Sequence, residues 1–192
     1  MRGRRAEADQ RVHCDEARAR ADHGVHVDLG DAVSVVGGEL RDALDDAGEV
    51  LIGQHMSDLK ALGPWTAQGA VEAIGGSCEY YDGKGLPPGV SMMTDEDRVV
   101  RFDLGLDPDS GAPTQQPGPF GLRVGMTRAQ AMAQFPKPPV SSPHAYDGDQ
   151  GEYLTWQDPG SDLGIRVELF EGRVTQMYWG TSDAIELIEG CA

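Results

Sequence analysis

The stretch from Glu152 to Trp179 limits the possible folds most severely. Glu152 to Trp156, Gly164 to Phe170 and Arg173 to Trp179 are short runs rich in β-branched and aromatic residues. A Pro/Gly turn at 158 to 160 separates the first two, and Glu171-Gly172 separates the last two. Runs of this length bounded by turn residues read as strands, and a two-residue connection ending in glycine makes the last pair a hairpin. Along Ile165 to Phe170, alternation puts Ile165, Val167 and Leu169 on one face and Arg166, Glu168 and Phe170 on the other. In Arg173 to Trp179 it groups Thr175, Met177 and Trp179 against Val174, Gln176 and Tyr178. At least one of Tyr178 and Trp179 therefore points away from the packed face.

Upstream, Met126-Thr127 leads a helix expected to run to about Phe135, with Met126, Ala129, Met132 and Ala133 packed on a sheet. Pro136, Pro138 and Pro139 stop it. Residues 105–119, rich in Gly, Pro, Asp and Gln, read as a linker. Before the linker the same order of elements stands. Val50-Leu51-Ile52-Gly53 is a short apolar run, Ser57 is placed to cap a short helix that Gly63 ends, and Cys78 to Tyr81, Val90 to Met93 and Arg98 to Leu104 read as strands. Arg98-Val99-Val100 and Arg173-Val174-Thr175 share one offset with Cys78 to Tyr81 and Tyr153 to Trp156. The expected fold is α+β: two tandem repeats, each a short helical segment packed on a small antiparallel sheet, over 49–104 and 120–192, the second ending in a C-terminal tail.

A chain of 192 residues, 39% apolar, is long enough to build a core. Its aromatic residues all lie at or beyond Trp65, and residues 1–48 offer a core little besides Val33 to Val36 and Leu40 to Leu44. Two readings of 1–48 stand: a weakly ordered extension, or a start or reading frame that has replaced a natural N-terminus bearing an export signal. The first residues have no apolar h-region, which taken literally predicts a cytoplasmic protein. No run of 18 apolar residues predicts a transmembrane helix. A formal charge of -16 argues against nucleic acid and anionic membranes as partners and would steer a basic ligand toward the chain.

Several motifs together carry a resemblance. Gly125-Met126-Thr127 opens a helix, followed by Pro143-His144-Ala145-Tyr146, Glu152-Tyr153-Leu154, Gly172-Arg173-Val174-Thr175 and Glu189-Gly190-Cys191, with Cys78-Glu79-Tyr80-Tyr81 in the first half. From about residue 49 onward the chain resembles a family of small bacterial exported proteins often labelled "lectin". In the first half Ile52-Gly53-Gln54-His55-Met56-Ser57 replaces the compact Gly-Met-Thr motif. More distantly, each repeat resembles the outer-membrane lipoprotein domain of SmpA/OmlA type and the repeats of the β-lactamase inhibitory protein. The resemblance implies a non-catalytic binding protein, periplasmic or secreted, that takes a carbohydrate or an envelope protein and uses no cofactor. Cys78 and Cys191 lie in the two motif sets, one in each half. A bridge between them would close a loop of over ~100 residues and contribute on the order of 4–5 kcal/mol by chain entropy; free thiols are the alternative.

Little else points to chemistry. His13, Cys14, His23 and His26 match no zinc spacing. His144 has no nucleophile beside it in any local signature, and a triad of Cys191, His144 and an aspartate is disfavoured against a histidine packed at a turn by Tyr146. Asp147 to Glu152 has the composition of a calcium loop without the spacing of an EF-hand. The better lead is aromatic: Tyr146, Tyr153, Trp156, Tyr178 and Trp179 are the candidate ligand-binding residues, because an outward ring on a sheet can stack on a sugar or anchor a partner. Core filling is the competing role for the same rings.

Overall fold

The alternating runs pair into one sheet. The structure is a computed structural model that describes residues 43–69, 77–107 and 109–191, all within a single compact unit. A two-residue ribbon, β1 (Asp46–Ala47) with β2 (Val50–Leu51), precedes eight strands: β3 (Trp65–Ala67), β4 (Glu79–Gly83), β5 (Val90–Asp95), β6 (Arg98–Leu104), β7 (Val140–His144), β8 (Gly148–Gln157), β9 (Leu163–Phe170) and β10 (Arg173–Thr181). Their order is β3-β4-β5-β6-β10-β9-β8-β7, antiparallel throughout.

This arrangement overturns the expectation of two repeats, each with its own helix and sheet. β6 and β10 pair directly, from Met177 opposite Leu104 to Gly180 opposite Arg101, so one ladder runs across the place where two sheets were expected to end. The single α-helix among the described residues is α1 (Arg128–Met132). A full capping box starts it: Thr127 Oγ1 accepts from the Gln130 N–H, and the Gln130 side chain accepts from the Thr127 N–H at 2.9 Å. It stops well before Phe135; Met126 and Met132 pack against the core as expected, whereas Ala129 and Ala133 face outward and Ala131 is buried in their stead. In the first half only a 3₁₀ segment, Asp58–Leu62, stands in the helix position. Ser57 is itself in a helical conformation and makes no side-chain cap.

One face of the sheet carries the core. Val99, Phe102, Leu104, Leu154, Ile165, Val167, Leu169, Val174, Met177 and Trp179 point to it, and Leu44, Val50, Leu59, Leu122, Val124 and Ala131 close over them. Each such side chain taken fully out of water contributes about 1.5–3 kcal/mol. Val174 joins Met177 on this face, against simple alternation, because a bulge at Thr175 inserts one residue into β10 opposite β9. Trp179 packs on Phe102 with ring centroids 5.6 Å apart and donates its indole N–H to the Asp46 carbonyl at 3.1 Å.

Candidate functional site on the polar face of the sheet

The other face of the same strands is built of polar and aromatic side chains. On β6, Phe102 points into the core while Arg101 and Asp103 point away from it, and they meet Tyr80 of β4 and Tyr178 of β10. Arg101 is buried. Its Nη2 donates to Asp103 Oδ1 at 2.6 Å and to the Tyr80 hydroxyl at 2.9 Å, and its Nη1 donates to the carbonyls of Ala184 at 3.0 Å and Leu187 at 2.6 Å. Its guanidinium also lies over the Tyr178 ring, 4.1 Å from the centroid. A cation so enclosed is tolerated because every donor direction finds an acceptor.

Electrostatics follow from that enclosure. Burial pushes the Asp103 carboxyl up, against the pull of Arg101, Gln176 and Tyr80, which hydrogen-bond it. Burial, and next the Asp103 charge, raise the Tyr80 hydroxyl well above the usual phenol range. Burial and the Glu168 carboxylate do the same to Tyr178. Both phenols therefore remain donors, and Tyr178 gives its proton to Glu168 Oε1 at 3.1 Å.

The network continues toward β7. His144 Nδ1 lies 3.3 Å from the N–H of Tyr146 and 3.2 Å from that of Asp147, and Nε2 lies 3.6 Å from Glu168 Oε2. The imidazole stacks on Tyr153, with ring centroids 4.5 Å apart, and Arg166 lies 5.2 Å from the centroid of the same tyrosine ring. Arg166 is tied to Thr155 at 3.0 Å and to Glu186.

These contacts decide the fate of the aromatic candidates. Tyr178 does point away from the core, yet Arg101 covers it and it is 0% exposed. Trp179 lies in the core. So does Trp156, which takes the edge of Phe120 with centroids 5.4 Å apart. Tyr153 is sandwiched between His144 and Arg166. Of the five, Tyr146 alone presents its ring to solvent, at 64% exposure, and its hydroxyl donates to Glu189. Cys78 and Cys191 form a disulfide, with Cα atoms 5.4 Å apart, so Cys191 holds no free thiol for His144 to activate. Asp147 faces His144 at 3.2 Å and Glu152 pairs with Arg128 and Ser141, so the acidic run 147–152 does not converge on a point. His13, Cys14, His23 and His26 lie outside the described residues.

The open part of the polar face is a groove of about 1010 Å³ where β4, β5, β6 and β10 end. Its floor holds Gln68, Asp82, Ser91, Asp103 and Gln176, with Lys84 at its side. Asp82 organises one half. Its carboxylate accepts from Gln68 Nε2 at 2.8 Å and from Ser91 Oγ at 2.9 Å, and Ser91 in turn accepts from Gln68 at 3.2 Å. Asp103 joins this floor to the Arg101 network. None of these residues stood out in the sequence. The signal for Asp103 lay in β6, where Arg101 and Asp103 alternate with Phe102 and Leu104 and so place an ion pair on the second face of a central strand. No protein-family model, curated protein or solved structure matches this chain.

Proposed function

We propose that the protein is a non-catalytic binding protein that works outside the cytoplasm and holds a carbohydrate-class ligand in the groove floored by Gln68, Asp82, Ser91, Asp103 and Gln176. The observation that carries this reading is the composition of that floor. Amide, hydroxyl and carboxylate groups lie side by side on strands and, for Gln68, just past the end of β3, partly fixed by one another before any ligand arrives. Sugar hydroxyls both donate and accept, and a floor of mixed donors and acceptors meets both needs. The ligand would rest on the strand floor, with the apolar rim of Leu86, Pro87 and Leu106 against its C–H faces. The disulfide supports an oxidising compartment, where such bonds persist.

A glycan array followed by calorimetric titration tests this. Saturable binding of a neutral glycan, weakened at least about tenfold by Asp82→Ala or Gln176→Ala, is the expected result. Absence of binding to any glycan, together with recovery of one envelope protein in stoichiometric complex, would replace it with the reading of a protein-interaction module.

A further inference from the structure

The C-terminal segment lies over the polar face, and it is held in two ways. Its first part, Ala184–Glu186, is anchored by packing: Ala184 and Ile185 are buried and Glu186 pairs with Arg166. Beyond it the anchoring changes in kind. Leu187 is 48% exposed, and Leu187 to Cys191 holds on through the Leu187 carbonyl on Arg101, the Tyr146–Glu189 contact, Gly190 laid against Tyr80, and the disulfide to Cys78. A Cβ at Gly190 would overlap the Tyr80 hydroxyl, so only glycine allows the segment to lie this close.

We propose that the Cys78–Cys191 disulfide is a reducible clasp that keeps Leu187–Cys191 closed over Tyr80 and Arg101. When it opens, this short segment detaches while Ala184–Glu186 stays packed. The polar contacts of the last residues are few and partly solvated, and they oppose the backbone entropy of five ordered residues. Without the covalent tie the balance favours release. Release withdraws the Leu187 carbonyl from Arg101 and the cover from Tyr80, and both residues touch Asp103, which lines the groove. The oxidation state of one bond thereby reaches the groove floor through Arg101.

The opening step needs a dithiol reductant. One of its thiolates attacks one protein sulfur and expels the other cysteine as thiolate. Its second thiolate then resolves the mixed disulfide. Two electrons pass to the Cys78–Cys191 bond, the reductant leaves as its own disulfide, and the two protein sulfurs take up protons.

Hydrogen–deuterium exchange of the full chain, before and after treatment with a small dithiol, tests the proposal, with near-ultraviolet circular dichroism to report the packing of Trp179 and Phe102. Amide exchange over 187–191 should rise at least about tenfold, with the aromatic dichroism unchanged. Cys191→Ser without reductant should reproduce that exchange pattern. Equal protection of 187–191 in the two redox states, the same protection retained in Cys191→Ser, or loss of the aromatic dichroism together with the segment would each overturn the clasp.

Discussion

The guanidinium of Arg101 lies 4.1 Å from the centre of the Tyr178 ring and, from that position, bonds Asp103, Tyr80 and two carbonyls of the C-terminal turn. One side chain therefore satisfies groups from four separate elements. Arg101→Met would take the donor from both carbonyls and the only cation from the Asp103 carboxyl in this network, leaving it the hydrogen bonds of Gln176 and Tyr80. A loss of about 3–5 kcal/mol is expected, the usual consequence of breaking a buried ion pair on one side. Urea denaturation would measure it, and adding Asp103→Leu should recover part of the loss, since removing both partners leaves no uncompensated charge.

Gly180 stands opposite Arg101 in the ladder, with φ at 152°. A Cβ there would overlap the Val100 carbonyl oxygen and stand 2.8 Å from Arg101 Cα. Because both obstacles are backbone of a central strand, Gly180→Ala is expected to destabilise by about 2–4 kcal/mol, visible as a lower thermal midpoint.

Alkaline pH should weaken the fold in a definite window. Tyr80 and Tyr178 have hydroxyl pKa values raised above 10.0, the ordinary value they regain on unfolding. Their contribution is fully present below pH 10 and is lost as pH rises through the folded values. Stability measured from pH 9 upward should therefore begin to fall near 10. Tyr178→Phe should flatten the fall, and a slope unchanged by that substitution would contradict the assignment.

Trp65 lies flat against Gly83, its register partner on β4, and donates its indole N–H to the Leu59 carbonyl at 2.9 Å. An aromatic ring here shields a glycine next to the sheet edge. Gly83→Val would push the ring outward. A red-shifted tryptophan emission and a stability loss of about 1–3 kcal/mol are expected.

Strand identity was legible where apolar and β-branched runs end at turn residues. Arg98–Leu104 and the hairpin of β9 and β10 are marked in that way, and alternation requires at least one of Tyr178 and Trp179 to face away without saying which. What alternation does not carry is partner choice. Nothing in Leu104 or Met177 alone says that β6 will pair with β10, and that pairing turns two expected sheets into one. Nor does an outward-facing aromatic imply an accessible one, because the cover over Tyr178 comes from Arg101 on a different strand. β7 escaped notice because Pro138, Pro139 and Pro143 resemble a break, whereas an edge strand tolerates proline on its unpaired side. The groove floor went unread because its residues are common polar types drawn from separate strands.

The place of β10 in the sheet has a consequence for how the chain is made. It is the last strand to leave the ribosome, yet it lies between β6 and β9 near the middle of the sheet. Until it arrives, β6 and β9 each expose an unpaired edge, and the core residues Val174, Met177 and Trp179 are missing from both sides. Assembly of the sheet must therefore wait for nearly the whole chain and close contacts between residues far apart in sequence, an order of events associated with slow folding. A ribosome-bound chain stopped before Arg173 should resist protease far less than the finished protein.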